Sequence, residues 1–477
     1  MIRKTVYKYI SIGGICLGFA ACSVPAVVSK TENSNTPAAY NSQQDSTNSA
    51  QVKWKEYFTD PYLNALIDTA LQHNQELNIT WQEIEITRNE IQARKGEYLP
   101  FVGLRAGAGV DKKARYTNLG ALEKNIEIDK DKEMPEPLPD YLVSAYATWE
   151  LDIWHKLRNA KKAAVTRYLS TVEGRNFIVT NLVAEIANSY YELLALDNQL
   201  DIVQQNIAIQ TNALEIVKLQ KEATRVTELA VRRFEAEVMK TSSMQYDIQQ
   251  QITETENRIN FLLGRFPQPI ARSKQGLDNV APAAVNAGLP SQLLANRPDV
   301  KQAELDLAAA RLDIKVAKAQ FYPSLGISAN FGWQAFNPSY LVKTPESILY
   351  SLTGDLVAPL VNRAGIKATY INANAKQVQA AYNYERTILN AYVEVANQLA
   401  KIGNLEKSYN LKSKQVAALT ESINISNDLF KSARADYMEV LLTQRDALES
   451  KFELVETKKQ QMNAMVNIYQ ALGGGWK

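Results

Sequence analysis

Residues 288–333 read GLPSQLLANRPDVKQAELDLAAARLDIKVAKAQFYPSLGISANFGW, and this stretch decides the fold because it joins two kinds of element. A Pro-containing linker leads into an Ala-rich segment with helical apolar spacing, which stops at Pro323 and gives way to strict alternation. Asn296 or Asp299 can cap the helix, and Pro298 fits its first turn, where a missing N–H leaves nothing unpaired. Tyr322 precedes Pro323 and is pushed toward extended geometry, so helix ends and strand begins there.

Outward from this stretch, the same transition occurs once before. Tyr98-Leu99-Pro100-Phe101-Val102-Gly103-Leu104 matches Phe321-Tyr322-Pro323-Ser324-Leu325-Gly326-Ile327, with Pro323 lying 223 positions after Pro100. Asn260-Phe261-Leu262-Leu263-Gly264 likewise returns as Tyr469-Gln470-Ala471-Leu472-Gly473, about 210 positions on. In the first copy, helical spacing runs from Trp54 to Tyr98. Val102, Leu104, Ala106, Ala108 and Val110 then alternate with small or polar residues. Residues 111–140 are charged and carry Pro135, Pro137 and Pro139, so they are expected to form a loop before a second strand from Tyr141 to Ile153. A helical tract follows to about Gln220, breaks near 221–227 and resumes to Leu263. The second copy offers strands at 325–333 and 348–358, a tract from Gly365 to Phe430, a break near 432–436 and helix again to Leu472.

Sixty helical residues extend about 90 Å, far more than a globular core requires. The four alternating strands have roughly the ten residues a tilted membrane strand needs, and Tyr141, Trp149, Trp333 and Tyr350 lie near their ends, where aromatic girdles belong. Four strands do not close a barrel, since single-chain barrels need about eight. They either pack as a small soluble sheet or are pooled by several chains.

Composition narrows the chemistry. Lys and Arg number 53 against 51 Asp and Glu, a net charge of +2, which argues against a nucleic-acid role. The chain has only two histidines and two cysteines, Cys16 and Cys22, both in the first segment, an inventory that argues against thiol catalysis and His/Cys metal clusters. No apolar run of about 18 residues follows the N-terminus, so no transmembrane helix is expected. Arg3, Lys4 and Lys8 precede an apolar stretch that ends in small residues at Ala20-Ala21-Cys22, as in a secretory signal. Residues 23–49 are rich in Ser, Thr, Asn, Gln, Ala and Pro, and are expected to be a flexible tether.

GLPSQLL, NRPDV and FYPSLGIS, with Trp149-Glu150-Leu151-Asp152-Ile153-Trp154, Leu157-Arg158-Asn159 and the terminal Tyr469-Gln470-Ala471-Leu472-Gly473-Gly474-Gly475-Trp476, resemble the TolC-type outer-membrane efflux proteins. The resemblance is to their lipoprotein branch, the outer-membrane factor of tripartite pumps of the resistance-nodulation-division type, and covers the chain from Trp54 onward. It implies a mainly α fold with membrane β: a long coiled-coil helical barrel, two internal repeats, and four strands per protomer contributing to a trimeric 12-stranded β-barrel. The implied organisation is a lipoprotein signal over 1–21, a lipid-anchored tether over 22–53, a first repeat over 54–264 with its hairpin at 101–153, a linker over 265–297, and a second repeat over 298–477 with its hairpin at 324–360. The resemblance further implies a passive exit duct in the outer membrane of a Gram-negative-type bacterium. Its partners would be a periplasmic adaptor, an inner-membrane transporter and outer-membrane lipid. It would need no cofactor beyond the N-palmitoyl and S-diacylglycerol groups on Cys22. Ordinary cleavage near Ala21, with Cys22 a bystander, is the plainer reading of the same segment.

In that family the two helical breaks form the periplasmic tip. Asp436 and Glu439 stand where an acidic pore ring would be, Tyr437 is a candidate constriction, and Glu228 is the first-repeat counterpart when 228–236 is aligned with 439–447, a displacement of 211. A ring of carboxylates would favour cations. Asp436 and Glu439 equally fit a helix cap with an acid in the first turn. His73 is expected on a solvated face and His155, after Trp154, in a structural role where strand passes to helix, while Glu83/Glu85 and Asp306/Asp313 fit solvated helix faces. The rivals to a channel are an anchored coiled-coil adaptor, which has no use for amphipathic strands, and a periplasmic hydrolase, which is disfavoured because the sequence shows no nucleophile-and-base constellation.

Overall fold

The computed structural model describes residues 24–28, 30–40, 46–273, 277, 286–432 and 434–476. The helices are α1 (Trp54–Tyr57), α2 (Pro61–His73), α3 (Gln75–Tyr98), α4 (Asn118–Glu123), α5 (Lys156–Glu222), α6 (Glu228–Leu262), α7 (Leu293–Asn296), α8 (Pro298–Ala319), α9 (Ala364–Lys431) and α10 (Tyr437–Ala471). The strands are β1 (Phe101–Asp111), β2 (Glu127–Asp129), β3 (Lys132–Glu133), β4 (Leu138–Leu151), β5 (Ser324–Ala335) and β6 (Ile348–Val357). With 67 and 68 residues, α5 and α9 each run about 100 Å at 1.5 Å per residue. Two compact units are distinguished: 1–31, 85–169 and 305–381 in one, and 32–84, 170–304 and 382–477 in the other.

The first unit is built on an antiparallel sheet of order β1-β4-β5-β6. Both expected helix-to-strand transitions are present, with α3 ending at Tyr98 before Pro100 and α8 at Ala319 before Pro323. On the return, buried Asp152 accepts from the N–H groups of Leu157 (3.0 Å) and Arg158 (2.9 Å), capping α5, while His155 takes a left-handed φ of 57° in the turn. The 111–140 segment is more ordered than a plain loop. Thr117 caps α4 by accepting from Gly120 N–H at 3.2 Å, β2 pairs with β3, and Arg115 grips Glu136 through two nitrogens (2.9 and 3.1 Å).

The described parts of the segment over 22–53, expected to be a tether, make contacts with the helices. Val24 and Val27 pack against Ala317, Phe321 and Tyr370, and the Lys30 carbonyl accepts from Gln377 Nε2 at 3.2 Å. In the second unit, Asn33 N–H donates to Glu385 Oε1 (2.9 Å) and Tyr40 stacks on Tyr392 (5.3 Å). A segment poor in apolar residues is held here by bonding its backbone to the side chains of α9, a mode that composition does not reveal. Cys22 lies outside the described residues.

The core of the second unit gathers Trp54, Phe58, Leu63, Ile67, Ile186, Tyr190, Leu193, Ile259 and Tyr469. Tyr190 donates to Asp60 Oδ2 at 2.7 Å, and Asp60 in turn caps α2. Along α6, Phe234, Thr241, Ile248, Thr255 and Leu262 are buried at seven-residue intervals, and Val203, Gln210 and Val217 match them on α5, the spacing of a coiled-coil seam.

Two joints in this unit mirror each other. In the first, Asn74 at the start of α3 donates to the Leu262 carbonyl at 2.9 Å, and Gly264 (φ 67°) lies so close to the His73 carbonyl that a Cβ would sit 2.3 Å from it. In the second, Arg297 at the start of α8 donates to the Ala471 carbonyl at 2.9 Å, and a Cβ on Gly473 (φ 89°) would sit 2.6 Å from the Asn296 carbonyl. Neither Asn296 nor Asp299 is the residue preceding α8, as the sequence suggested. Arg297 holds that place, and Asp299 turns its carboxylate back to Arg297 Nη2 at 2.6 Å. Pro298, the first residue of the helix, has no N–H, so one of the unpaired donors of a helix start is absent.

Candidate functional site

The sheet register aligns every apolar row. Leu104 faces Ala145, Phe331 and Tyr350 across the four strands, and Val102, Ala147, Ala329 and Leu352 form the next row. The opposite face carries Gly103, Tyr146, Asn330 and Ser351, then Phe101, Thr148, Ser328 and Thr353. The apolar face is uncovered: Leu104 is 87% exposed, Tyr350 80% and Leu352 77%. Among the described residues β1 and β6 have no further partner strand, so each long edge leaves a row of N–H and C=O groups unpaired. Aromatic residues mark both ends. Trp149 donates to the Tyr98 carbonyl (3.1 Å) and Trp154 to the Pro323 carbonyl (2.8 Å) while stacking on Tyr322; at the other end stand Tyr141, Trp333 and Tyr350. Ten residues tilted as in a barrel rise about 25 Å, the height of a membrane's apolar band. No described helix is long and apolar enough to cross a membrane.

The two helical breaks share one backbone. Arg225 N–H bonds the Gln220 carbonyl at 2.9 Å and Arg434 N–H the Leu429 carbonyl at 2.8 Å, and the helices end at Glu222 and Lys431 and restart at Glu228 and Tyr437. Each pair is 209 residues apart (434 − 225, 431 − 222, 437 − 228). The structural counterpart of Glu228 is therefore Tyr437, and Glu439 corresponds to Ala230. The displacement of 211 matched similar letters but slipped by two positions.

Their side chains differ. Glu228 is exposed between Lys221 and Arg232 (2.8 Å from Arg232), and Lys221 foremost holds its carboxyl below the usual carboxylate range. Asp436 has the backbone of a cap residue, but its side chain makes no capping hydrogen bond. Asp436 and Glu439 are exposed, and among the described residues neither has an ion pair. Tyr437 packs with Phe430 and Leu441 on Val217, Ala230 and Phe234, so its ring belongs to the chain's own tip cluster. His73 is exposed in the last turn of α2, and no described group of His, Cys, Asp and Glu could hold a metal ion.

Sequence reasoning left Arg297 without a partner. Its side chain is 6% exposed and also meets Glu394 at 2.6 Å, a residue 97 positions away that only the fold brings near.

Known proteins share this plan. The outer membrane efflux protein family profile matches residues 66–265 and 289–474, one segment per repeat. The solvent efflux pump outer membrane protein SrpC of Pseudomonas putida is 28% identical, covering 92% of each chain. The probable outer membrane lipoprotein SilC of Salmonella typhimurium is 26% identical over 95% of this chain and 93% of its own. The solved structure of the outer-membrane channel OprN superposes with a TM-score of 0.83 at 22% identity, covering 95% of this chain and 99% of that one.

Proposed function

The chain belongs to the outer membrane efflux protein family and is an outer-membrane efflux channel, not an enzyme; from that premise we propose that three copies pool their sheets into one barrel of twelve strands. The observation that carries this reading is the sheet itself, apolar across one whole face, mostly polar or small across the other and, among the described residues, unpaired at both edges. Antiparallel pairing of β6 with β1 of the next copy satisfies both edges, turns the apolar face to lipid and encloses a polar lumen. A lone soluble sheet would leave that face in water.

The helical turns at 223–227 and 432–436 form the closable end of the duct, with Asp436 and Glu439 of each chain lining the constriction, and a periplasmic adaptor and inner-membrane transporter dock there. The unpaired state of these two carboxylates and the missing capping bond of Asp436 support a role in the pore over a cap. Cys22 is acylated, a reading supported by the small residues before it and by the lipoprotein relative SilC. Cargo is selected at the transporter; the relatives' names alone span solvent, cation and pyoverdine export.

Planar-bilayer recording tests the duct. Discrete conductance steps from SDS-resistant, heat-labile oligomers are expected, whereas an anchored adaptor would give neither. For the anchor, Cys22→Ala should abolish labelling with radioactive palmitate, and persistent labelling would refute acylation at that residue.

A further inference from the structure

The chain is nearly neutral, but its charge is unevenly placed. The four helix ends that adjoin the sheet occupy 85–98, 156–169, 306–319 and 363–376, fourteen residues each. They hold three, five, three and three basic side chains against three, no, two and no acidic ones, fourteen against five, whereas the whole chain has 53 against 51. Ion pairs absorb part of this: Arg88 with Glu85, Arg94 with Glu90 and Glu97, Arg167 with Asp313, and, with acids just outside these stretches, Lys156 with Glu150 and Arg158 with Asp152. Lys161, Lys162, Lys315, Lys318 and Lys367 have no ion pair among the described residues, and all but half-buried Lys161 are exposed.

Arg363 stands out within this collar. It precedes α9, directly after the turn at Asn362 (φ 53°) and beside exposed Leu360 and Val361. Its guanidinium lies over the Phe321 ring at 4.8 Å, and its Nε and Nη2 are shielded from solvent yet donate to nothing. A half-buried planar cation that no described carboxylate neutralises, flanked by apolar side chains past the end of a membrane strand, leaves the solvent-facing part of its guanidinium to an anionic acceptor. Phosphate and ester oxygens of lipid headgroups lie at that depth, next to the aromatic row of Trp149, Trp154 and Tyr322.

We propose that this collar, centred on Arg363 and Lys367, is a binding site for the phosphate headgroups of anionic phospholipid in the leaflet facing the helices. The inference rests on the sheet being membrane-embedded. The excess of positive charge attracts an anionic surface, and the guanidinium fixes individual headgroups.

The test extracts the full-length protein into mixed micelles containing phosphatidylglycerol and phosphatidylcholine, and counts retained lipid and assembled chains in one native mass spectrum. Phosphatidylglycerol should be retained about fivefold or more over phosphatidylcholine, with the preference falling as salt rises and inorganic phosphate failing to displace the lipid. Arg363→Gln with Lys367→Gln should bring retention close to parity in oligomers of unchanged size. Equal retention of both lipids by the unsubstituted protein, or a preference untouched by both that pair and Lys315→Gln with Lys318→Gln, would overturn the collar. Displacement by inorganic phosphate would overturn the lipid assignment. Because the chain count comes from the same spectrum, failure of the channel reading is seen separately from failure of the collar.

Discussion

The two joints of the helical unit solve one problem with different chemistry. Each must tie the start of a helix to the end of another that finishes in a left-handed glycine. At the first, Asn74 reaches the Leu262 carbonyl while its own oxygen caps α3 by accepting from Leu77 N–H at 3.0 Å, so one neutral amide does both tasks. At the second, Pro298 removes one donor, and Arg297 reaches the Ala471 carbonyl while pairing with Asp299 and Glu394. The neutral joint is self-contained; the charged one depends on a third helix. The repeat thus conserves the bond to the carbonyl and leaves its donor free to vary.

The largest effect should come from the charged joint. Arg297→Met removes the partner of two carboxylates and the donor to Ala471, and should cost about 3–5 kcal/mol, read as a lowered unfolding temperature. A loss below about 1 kcal/mol would mean that water replaces the guanidinium. Gly473→Ala and Gly264→Ala both demand a left-handed alanine against a carbonyl, and each should cost about 2 kcal/mol or more. Unequal penalties would show that the two joints differ in backbone as well as in side chains. Asn74→Ala loses a cap and a bond and should cost about 1–2 kcal/mol, clearly less than Arg297→Met; equality would erase the proposed distinction.

The turns continue the contrast at smaller cost. Asp436→Asn with Glu439→Gln should change stability by less than about 0.5 kcal/mol while weakening the cation preference of single-channel currents. Glu228→Gln, by contrast, should leave that preference nearly unchanged, since Lys221 and Arg232 already neutralise Glu228. With its carboxyl held low, the contribution of that exposed pairing is present at neutral pH and lost only as pH falls through the lowered value. An equal change in selectivity from both substitutions would remove the case for an acidic constriction specific to the second turn.

Much of this was legible in the sequence because it depends on local rules. Pro100 and Pro323 announce both helix-to-strand transitions, alternation marks all four strands, and the repeated Leu-Gly endings locate the helix ends. The contacts that escaped are long-range. Glu394 meets Arg297 through the fold, and the segment before Tyr40 is held by backbone bonds to α9 that its composition conceals. The two-residue slip between Glu228 and Glu439 arose because apolar letters recur at several offsets in a coiled coil, whereas hydrogen bonds such as Arg225 to Gln220 fix only one. In 111–140 the prolines cluster at the end and leave room for α4 and the β2–β3 hairpin.

The central claim is that this four-stranded sheet is one third of a closed wall. Native mass spectrometry of the protein released gently from membranes tests it most directly. The account predicts particles of three chains; a particle of one chain, with both sheet edges unpaired by any copy, would contradict it.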